Sequence, residues 1–424
     1  MQWLIICLGG RGLLIGSALI ASRSRLIYDG YMQYFFVLGT NAALSVAELA
    51  AVLSLKNARF LAADFLIAEN DQDIIAERLI GRLGGVIKIG RVAAEVESGS
   101  ETALRTAVQK LAVDKQAKSG GGKFNFGLSV YGGREFNKKD LGLKLKKYFS
   151  DQGLSSRFVI SREKTLSSVV VTQNKLASRG LEIILVGDGD TILIGETLAV
   201  QPFKDLSLRD YGRPARDDLS GMLPPKLAQI MINLAQIGSG AVIIDPFCGS
   251  GTILSEAAIL GYKNLFGSDI SLKAIEDTRK NISWLKELYK ISDFKLKLFA
   301  KKVESLSKFI KSGSIDAVIT EPYLGPQRGR LEFKAVISNL EELYSVAIKE
   351  FLKILKPGGR VVMIWPIYYG ERPMNPDYQG FKLLNMVPES LQSSGFIKKS
   401  ARATIIYGRP GQKVYREVAV LEKI

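Results

Sequence analysis

Residues 241–252 read Ala-Val-Ile-Ile-Asp-Pro-Phe-Cys-Gly-Ser-Gly-Thr. An apolar, β-branched run ends on Asp245, a Pro-Phe-Cys turn follows, and Gly249 and Gly251 lead into the helical pattern ILSEAAILG at 253–261. Such a handover from strand to helix is a ligand site in waiting: the glycines admit a close approach to the backbone, and the helix N-terminus offers unpaired N–H groups to an anion. Asp269 closes the next apolar run, NLFGSD at 264–269, where a carboxylate is placed to accept from two ribose hydroxyls. The pair of features fits either a dinucleotide or S-adenosylmethionine. Leu254 stands where the G-x-G-x-x-G fingerprint has its third glycine, which weakens the dinucleotide reading.

Downstream the alternation continues. A helical stretch at 271–290 is followed by FKLKLFA at 294–300, a short helix, and DAVIT at 316–320. A further helix from about Ser338 ends at Leu355-Lys356-Pro357-Gly358-Gly359, and the strand RVVMIWP follows at 360–366. This order predicts a doubly wound α/β sheet with its ligands at the carboxyl ends of the strands. The segment 403–423 reads as a hairpin across Gly408 to Gly411 that closes a sheet edge antiparallel. At the end of the fourth strand lies Thr320-Glu321-Pro322-Tyr323-Leu324-Gly325-Pro326. A Pro-Tyr element at that place is the discriminating mark.

Upstream the pattern is α+β. FFVLG, FLIAE, VIKIGRV, FNFGLSVYG, SSRFVIS, SSVVVTQ, LEIILVG and TILIGETLAV read as strands between Phe35 and Val200, separated by helical runs at 71–84 and 101–113. Lys138, Lys139, Lys144, Lys146 and Lys147 stand near Phe124, Phe126, Tyr131, Phe136 and Tyr148. Basic groups with interleaved rings suit a nucleic-acid face, although a lysine-rich helix face can equally be only solvated. Residues 201–222 form a polar, turn-rich linker in which Arg209, Arg213 and Arg216 alternate with Asp210, Asp217 and Asp218. Pro224 and Pro225 then start a helix that reaches about Leu234.

Composition narrows the chemistry. The chain has 424 residues, 58 Lys and Arg against 42 Asp and Glu, a net charge of +16, and no histidine. Without histidine there is no Ser-His-Asp or Cys-His nucleophile and no imidazole acid or base. Cys7 and Cys248 are too few for a disulfide framework or a four-thiolate zinc site, so no metal and a reducing, cytoplasmic setting are expected. The excess of positive charge favours a polyanionic partner. Residues 3–21 are apolar enough to suggest a signal anchor but are broken by Arg11 and a Gly-Gly pair. The alternative is that residues 1–31 are an upstream extension and the fold opens at Met32, with no stable membrane association.

The motifs carry a resemblance. Asp-Pro-Phe-Cys-Gly-Ser-Gly-Thr, then Ser268-Asp269-Ile270, then a degenerate Asp-Pro-Pro-Tyr element resemble amino-methyltransferases that use S-adenosylmethionine on exocyclic base nitrogens. The openings YFFVLG and LSVAE, then RFVISREKTLSSVVV and RDYGRPARDDLSGMLPPKLAQIMINLA, are similar to the THUMP-domain tRNA guanosine-N2 methyltransferases. The likeness covers nearly everything from Met32 on. It implies a ferredoxin-like and THUMP region over 32–200 that holds tRNA, a linker over 201–222, and a Rossmann-like methyltransferase domain over 223–424. It further implies that Asp245, Phe247, Gly249 and Gly251 line the methionine part of the cofactor and Asp269 its ribose, with Leu223, Pro224 and Lys226 at the rim. Thr320, Glu321, Pro322 and Tyr323 would form the catalytic element acting on a tRNA guanosine, typically the tenth nucleotide.

Two departures from the family pattern stand out. Lys302-Val303, with Glu304 two residues on, replaces the usual Gly-Asp-Ala after the third strand, and Thr320-Glu321-Pro322-Tyr323 replaces Asp-Pro-Pro-Tyr. By register Thr320 takes the place of the acid, yet Glu321 carries the charge and is the favoured acceptor. Tyr323 would stack on the target base, and Pro322 biases Glu321 towards an extended backbone that leaves its carbonyl as a second acceptor. The alternatives are an RNA-binding protein with a decayed site and an amino-methyltransferase of ribosomal RNA or DNA.

Overall fold

In the computed structural model, which describes residues 32–216, 222–326, 333–368, 371–408, 411–412 and 414–424, the elements follow in chain order. They are β1 (Met32–Leu38), α1 (Ala42–Val52), β2 (Lys56–Ala62), β3 (Phe65–Asn70), α2 (Ala76–Ile80), β4 (Val86–Glu97) and α3 (Glu101–Ala117). Next come β5 (Phe124–Tyr131), α4 (Lys138–Asp151), β6 (Ser156–Val159), α5 (Ser168–Gln173), β7 (Leu181–Asp188), β8 (Thr191–Val200), α6 (Phe203–Tyr211) and α7 (Pro225–Leu234). Then follow β9 (Val242–Asp245), α8 (Thr252–Ile259), β10 (Asn264–Asp269), α9 (Leu272–Tyr289), β11 (Lys295–Ala300), a 3-10 turn Val303–Lys308 and β12 (Ile315–Thr320). The remainder comprises α10 (Phe333–Ile354), β13 (Leu355–Tyr368), β14 (Phe381–Leu383), α11 (Glu389–Gln392), β15 (Ile405–Tyr407) and β16 (Val414–Lys423).

The second half meets the expectation of a doubly wound sheet. Its strands lie in the order β11-β10-β9-β12-β13-β16-β14. The first five are parallel, and β16 runs antiparallel between β13 and β14 while also pairing with β15. The chain therefore reverses direction of winding between β9 and β12, the crevice where such sheets bind ligands. Helix α10 begins at Phe333 rather than near Ser338.

The first eight strands form one mixed sheet, β2-β3-β1-β4-β8-β7-β5-β6. The long strand β4 joins its two halves and bends at bulges beside Gly90 and between Val92 and Ala94. A Cβ on Gly90 would lie 1.9 Å from the Phe35 ring, so only glycine lets that ring cross the strand. Two readings change here. The segment SSVVVTQ is helix α5: the Ser167 hydroxyl caps it by accepting from Val170 N at 3.3 Å, and Val171 packs inward beside Leu166 and Leu176. Capping and burial override the β preference of three valines.

The linker is likewise structured. Arg209 of α6 is buried and donates from Nε and Nη2 to the two carboxylate oxygens of Glu256 at 2.7 and 3.1 Å. It also pairs with Asp205, so its partners are not the neighbouring Asp210 that sequence proximity suggests. Asp217 and Asp218, and residues 1–31, where the sequence suggests an anchor or an upstream extension, lie outside the described residues. Among the described residues, no helix is long and apolar enough to cross a membrane.

The apolar core does not stop at the linker. Leu44, Val46 and Leu49 of α1 share one cluster with Leu227 and Met231 of α7 and Ile253 and Leu254 of α8. At its centre the buried Glu48 carboxylate accepts from Gly84 N at 2.8 Å, Gly85 N at 2.7 Å and Asn233 Nδ2 at 2.8 Å. Gly84 is confined to glycine because a Cβ there would sit 2.0 Å from the Lys226 carbonyl oxygen. Glu48→Ala strands three buried donors and is expected to lower unfolding free energy by about 3 kcal/mol. Urea denaturation reads this directly, and a change under about 1 kcal/mol would mean that water or a shift of α7 replaces the carboxylate.

Candidate active site

A cleft of about 670 Å³ opens at the carboxyl ends of β9, β10 and β12. On its floor Asp245 ends β9, with Oδ1 accepting from the Thr320 hydroxyl at 2.7 Å and from Phe247 N at 3.2 Å. Burial pushes the Asp245 carboxyl up to about 7, against the pull of these donors. The glycine turn follows. Gly249 and Gly251 have φ of +50° and +84°, and a Cβ on Gly251 would lie 2.8 Å from the Thr278 methyl. From α9, Thr278 Oγ1 donates to the Gly249 carbonyl at 2.7 Å and Asn281 Nδ2 to the Ser250 carbonyl at 2.8 Å. Both carbonyls are thereby drawn towards α9.

Asp269 ends β10 at the cleft wall. Its Oδ2 accepts from Gly249 N at 3.0 Å and its Oδ1 from Ser271 N at 2.9 Å. Each oxygen keeps a second lone pair for a ligand. Ile270 beside it is 69% exposed, an apolar side chain in water at the edge of a cavity. Lys301, Lys302, Val303 and Glu304 line the same end.

The far wall is the Thr320–Gly325 element. Strand β12 ends at Thr320, whose side chain is buried on Asp245 and does not reach the cleft. Glu321, Pro322, Tyr323 and Leu324 do line it. Glu321 Oε1 accepts from Arg416 Nε at 2.6 Å. The Tyr323 carbonyl accepts from Tyr344 OH at 2.9 Å and the Leu324 carbonyl from Tyr368 OH at 2.6 Å. Gly325 has a φ of +82°, and a Cβ there would strike the Tyr368 hydroxyl at 2.0 Å. The Tyr323 ring remains 57% exposed.

Of the other expected rim residues, Leu223 lines the cleft whereas Pro224 and Lys226 belong to the start of α7 and do not. Gly251 serves as the N-cap of α8 rather than as a wall. The lysines of α4 lie on the first sheet's side of the chain. Lys138 Nζ donates to the Lys164 carbonyl at 2.9 Å, Lys144 pairs with Glu101 and Asp140 at 2.8 Å, and Lys147 pairs with Asp151 at 3.4 Å. Lys139 and Lys146 are exposed. Phe124, Phe126 and Tyr131 are core residues of β5 and offer no ring to a base.

Residues 213–368 match the RMKL-like methyltransferase domain family. A tRNA (guanine(10)-N2)-dimethyltransferase of Methanothermobacter thermautotrophicus is 32% identical over 149 residues, which are 35% of this chain and 40% of that protein. The "Probable tRNA (guanine(10)-N2)-dimethyltransferase" of Methanothermococcus thermolithotrophicus is 31% identical over 120 residues, 28% of this chain and 69% of that protein. The chain belongs to the family of tRNA guanine-N2 methyltransferases. TrmN from Thermus thermophilus shares the fold, with a TM-score of 0.52 at 19% identity over 93% of this chain and all of that one. The chain spans less than half the length of several curated tRNA guanine-N2 methyltransferases that it matches.

Several groups that build the cleft are not marked by any motif of the sequence. Ile270, Lys273, Ala274 and Asp277 at the start of α9 and Leu343 of α10 line it. Arg416, Tyr344 and Tyr368 hold its far wall. The first group could have been found from its place after Asp269. The second could not, because nothing local marks it.

Proposed function

We propose that the chain transfers a methyl group from S-adenosylmethionine to the exocyclic N2 of a guanosine in tRNA, at position 10, the position named in four of its relatives while a fifth is named for position 6. The observation that carries this is the meeting, in one cleft, of the Asp269 and Gly249 cradle with the Glu321-Pro322-Tyr323 element. The donor set fits the cofactor. Asp269 has free acceptor capacity for two ribose hydroxyls, nothing beyond its chain neighbours lies within 4 Å of the place a Gly249 Cβ would occupy, and Glu304 and the exposed Ile270 line the same cleft, an acceptor and an apolar face for an adenine amino group and ring.

Bound S-adenosylmethionine supplies an electrophilic methyl group on a sulfonium. An aromatic amine is a poor nucleophile because its lone pair is delocalised, so the protein's task is to localise and aim it. Glu321 Oε2 accepts one N–H of the amine and is the atom to which its proton can pass. Exposed Tyr323 covers the base by stacking, the usual device when chemistry is done on a base out of its stack. The first sheet with its helices is assigned as the ferredoxin-like and THUMP region that holds the tRNA, with residues 223–424 as the methyltransferase domain. Of the α4 lysines, Lys139 and Lys146 are best placed for phosphate contact, since Lys138, Lys144 and Lys147 already have protein partners.

The test is incubation with labelled S-adenosylmethionine and bulk tRNA, followed by nucleoside mass spectrometry. N2-methylated guanosine is expected. Methylated adenosine, or label in ribosomal RNA and none in tRNA, would refute the substrate.

Asp245 sets a pH dependence for cofactor binding. Its carboxyl, raised to about 7 by burial, attracts a cationic ligand only when ionised. Affinity for S-adenosylmethionine should therefore rise with pH through 7, strengthening about tenfold from pH 6 to pH 8. Calorimetry across that range checks it; the neutral product S-adenosylhomocysteine, lacking the sulfonium, should respond less. Equal slopes for the two ligands would remove Asp245 from the sulfonium's surroundings.

A further inference from the structure

We propose that Arg416 is a positioning residue for methyl transfer, holding one oxygen of Glu321 so that the other is presented to the acceptor nitrogen. This rests on the reading of Glu321 as the acceptor carboxylate. The backbone around Glu321 is well tied: Tyr344 and Tyr368 hold the carbonyls of Tyr323 and Leu324. Those bonds fix the main chain but leave the glutamate three side-chain torsions. Its reactive geometry is one among the rotamers those torsions allow, and holding a group in a reactive geometry is where much of the rate comes from.

Arg416 removes that freedom. Its Nε donates to Oε1 at 2.6 Å, with the two side chains only 15% and 12% exposed. The guanidinium is rooted in a strand rather than a loop, since residue 416 is flanked in register by Pro366 of β13 and Tyr407 of β15. Glu321 Oε2 takes no hydrogen bond among the described residues. One carboxylate oxygen is held and the other is without a partner among the described residues, on a residue that lines the cleft. Among the described residues, the groups facing Glu321 from neighbouring elements are Asp245 of β9, Tyr344 of α10 and Arg416 of β16. The first is an acid and the second a neutral phenol. Arg416 is the cation there that favours the ionised glutamate.

The test uses the full chain with bulk tRNA, measuring methyl transfer from pH 6 to 9 and cofactor binding by calorimetry. Arg416→Gln should lower kcat about 100-fold at pH 7. The KM for tRNA and the cofactor affinity should stay within about twofold. The acid limb of the rate profile should move to higher pH, so that part of the loss is recovered at pH 9. In an E321Q background the same change should cost less than about threefold more, because the group it positions has lost its charge. Arg416→Lys should retain intermediate activity and replaces Arg416→Gln if that variant does not fold. A raised KM at unchanged kcat would make Arg416 a phosphate contact and overturn the proposal. So would full activity in Arg416→Gln, or equal losses in both backgrounds. A wild-type chain that methylates no tRNA tells instead against the proposed function itself.

Discussion

Replacing Glu321 with glutamine is expected to slow methyl transfer about 100-fold or more while leaving cofactor and RNA affinity nearly unchanged. Glutamine keeps the shape and keeps an oxygen for Arg416 Nε, so the fold has little reason to change. What it loses is the negative charge that draws on the amine N–H and the site that can take its proton. A 100-fold loss is about 2.7 kcal/mol on the barrier, within reach of one electrostatic group. Thr320 cannot substitute, since its hydroxyl is buried and already donates to Asp245 at 2.7 Å. Single-turnover transfer separates chemistry from product release. Undiminished transfer in Glu321→Gln, with transfer abolished in Thr320→Val, would reassign the chemistry to the hydroxyl and backbone carbonyls.

Asp269→Ala should weaken S-adenosylmethionine binding by roughly ten- to a hundredfold, the scale of a lost charge-assisted pair of hydrogen bonds. The loss has two parts: the ribose hydroxyls lose their acceptor, and Gly249 N and Ser271 N lose the carboxylate that sets the glycine turn against β10. Asp269→Asn separates them. An amide oxygen can still accept from one backbone N–H, so it should preserve more of the turn than of the affinity. Calorimetry on the folded variants decides, and unchanged binding in Asp269→Ala would remove the ribose assignment.

What could be read from the sequence was what is local. Asp245, the glycine turn and Asp269 follow one another along a single strand, helix and strand, so their spacing carries their geometry. The Thr320–Gly325 element was harder. Neighbouring side chains on a strand point to opposite faces, so everything depended on where β12 ends, which no short pattern states. It ends at Thr320, and Glu321 is the residue at the cleft. Partners were illegible. Whether Lys144 is free depends on Glu101, 43 residues earlier, and whether Glu321 is held depends on Arg416, 95 residues later. Phe124 and Phe126 read as interleaved rings near lysines, yet the sheet turns them into its core. The three valines of 169–171 carry a strong strand preference that a serine cap and one buried contact outweighed.

Strand β16 is inserted between β13 and β14 and brings Arg416 to Glu321. During synthesis the two partners are therefore separated in time. With the two 95 positions apart in the chain and elongation at about 5–20 residues per second, the carboxylate leaves the ribosome roughly 5–20 s before its guanidinium. From the time β13 and β14 are made until β16 follows, the outer edge of β13 has no neighbour and β14 lacks the strand that joins it to the sheet. The order of translation thus limits the order of assembly: Asp245, the glycine turn and Asp269 are made first, and the wall that Glu321 shares with Arg416 can be completed only when the late strand enters its slot.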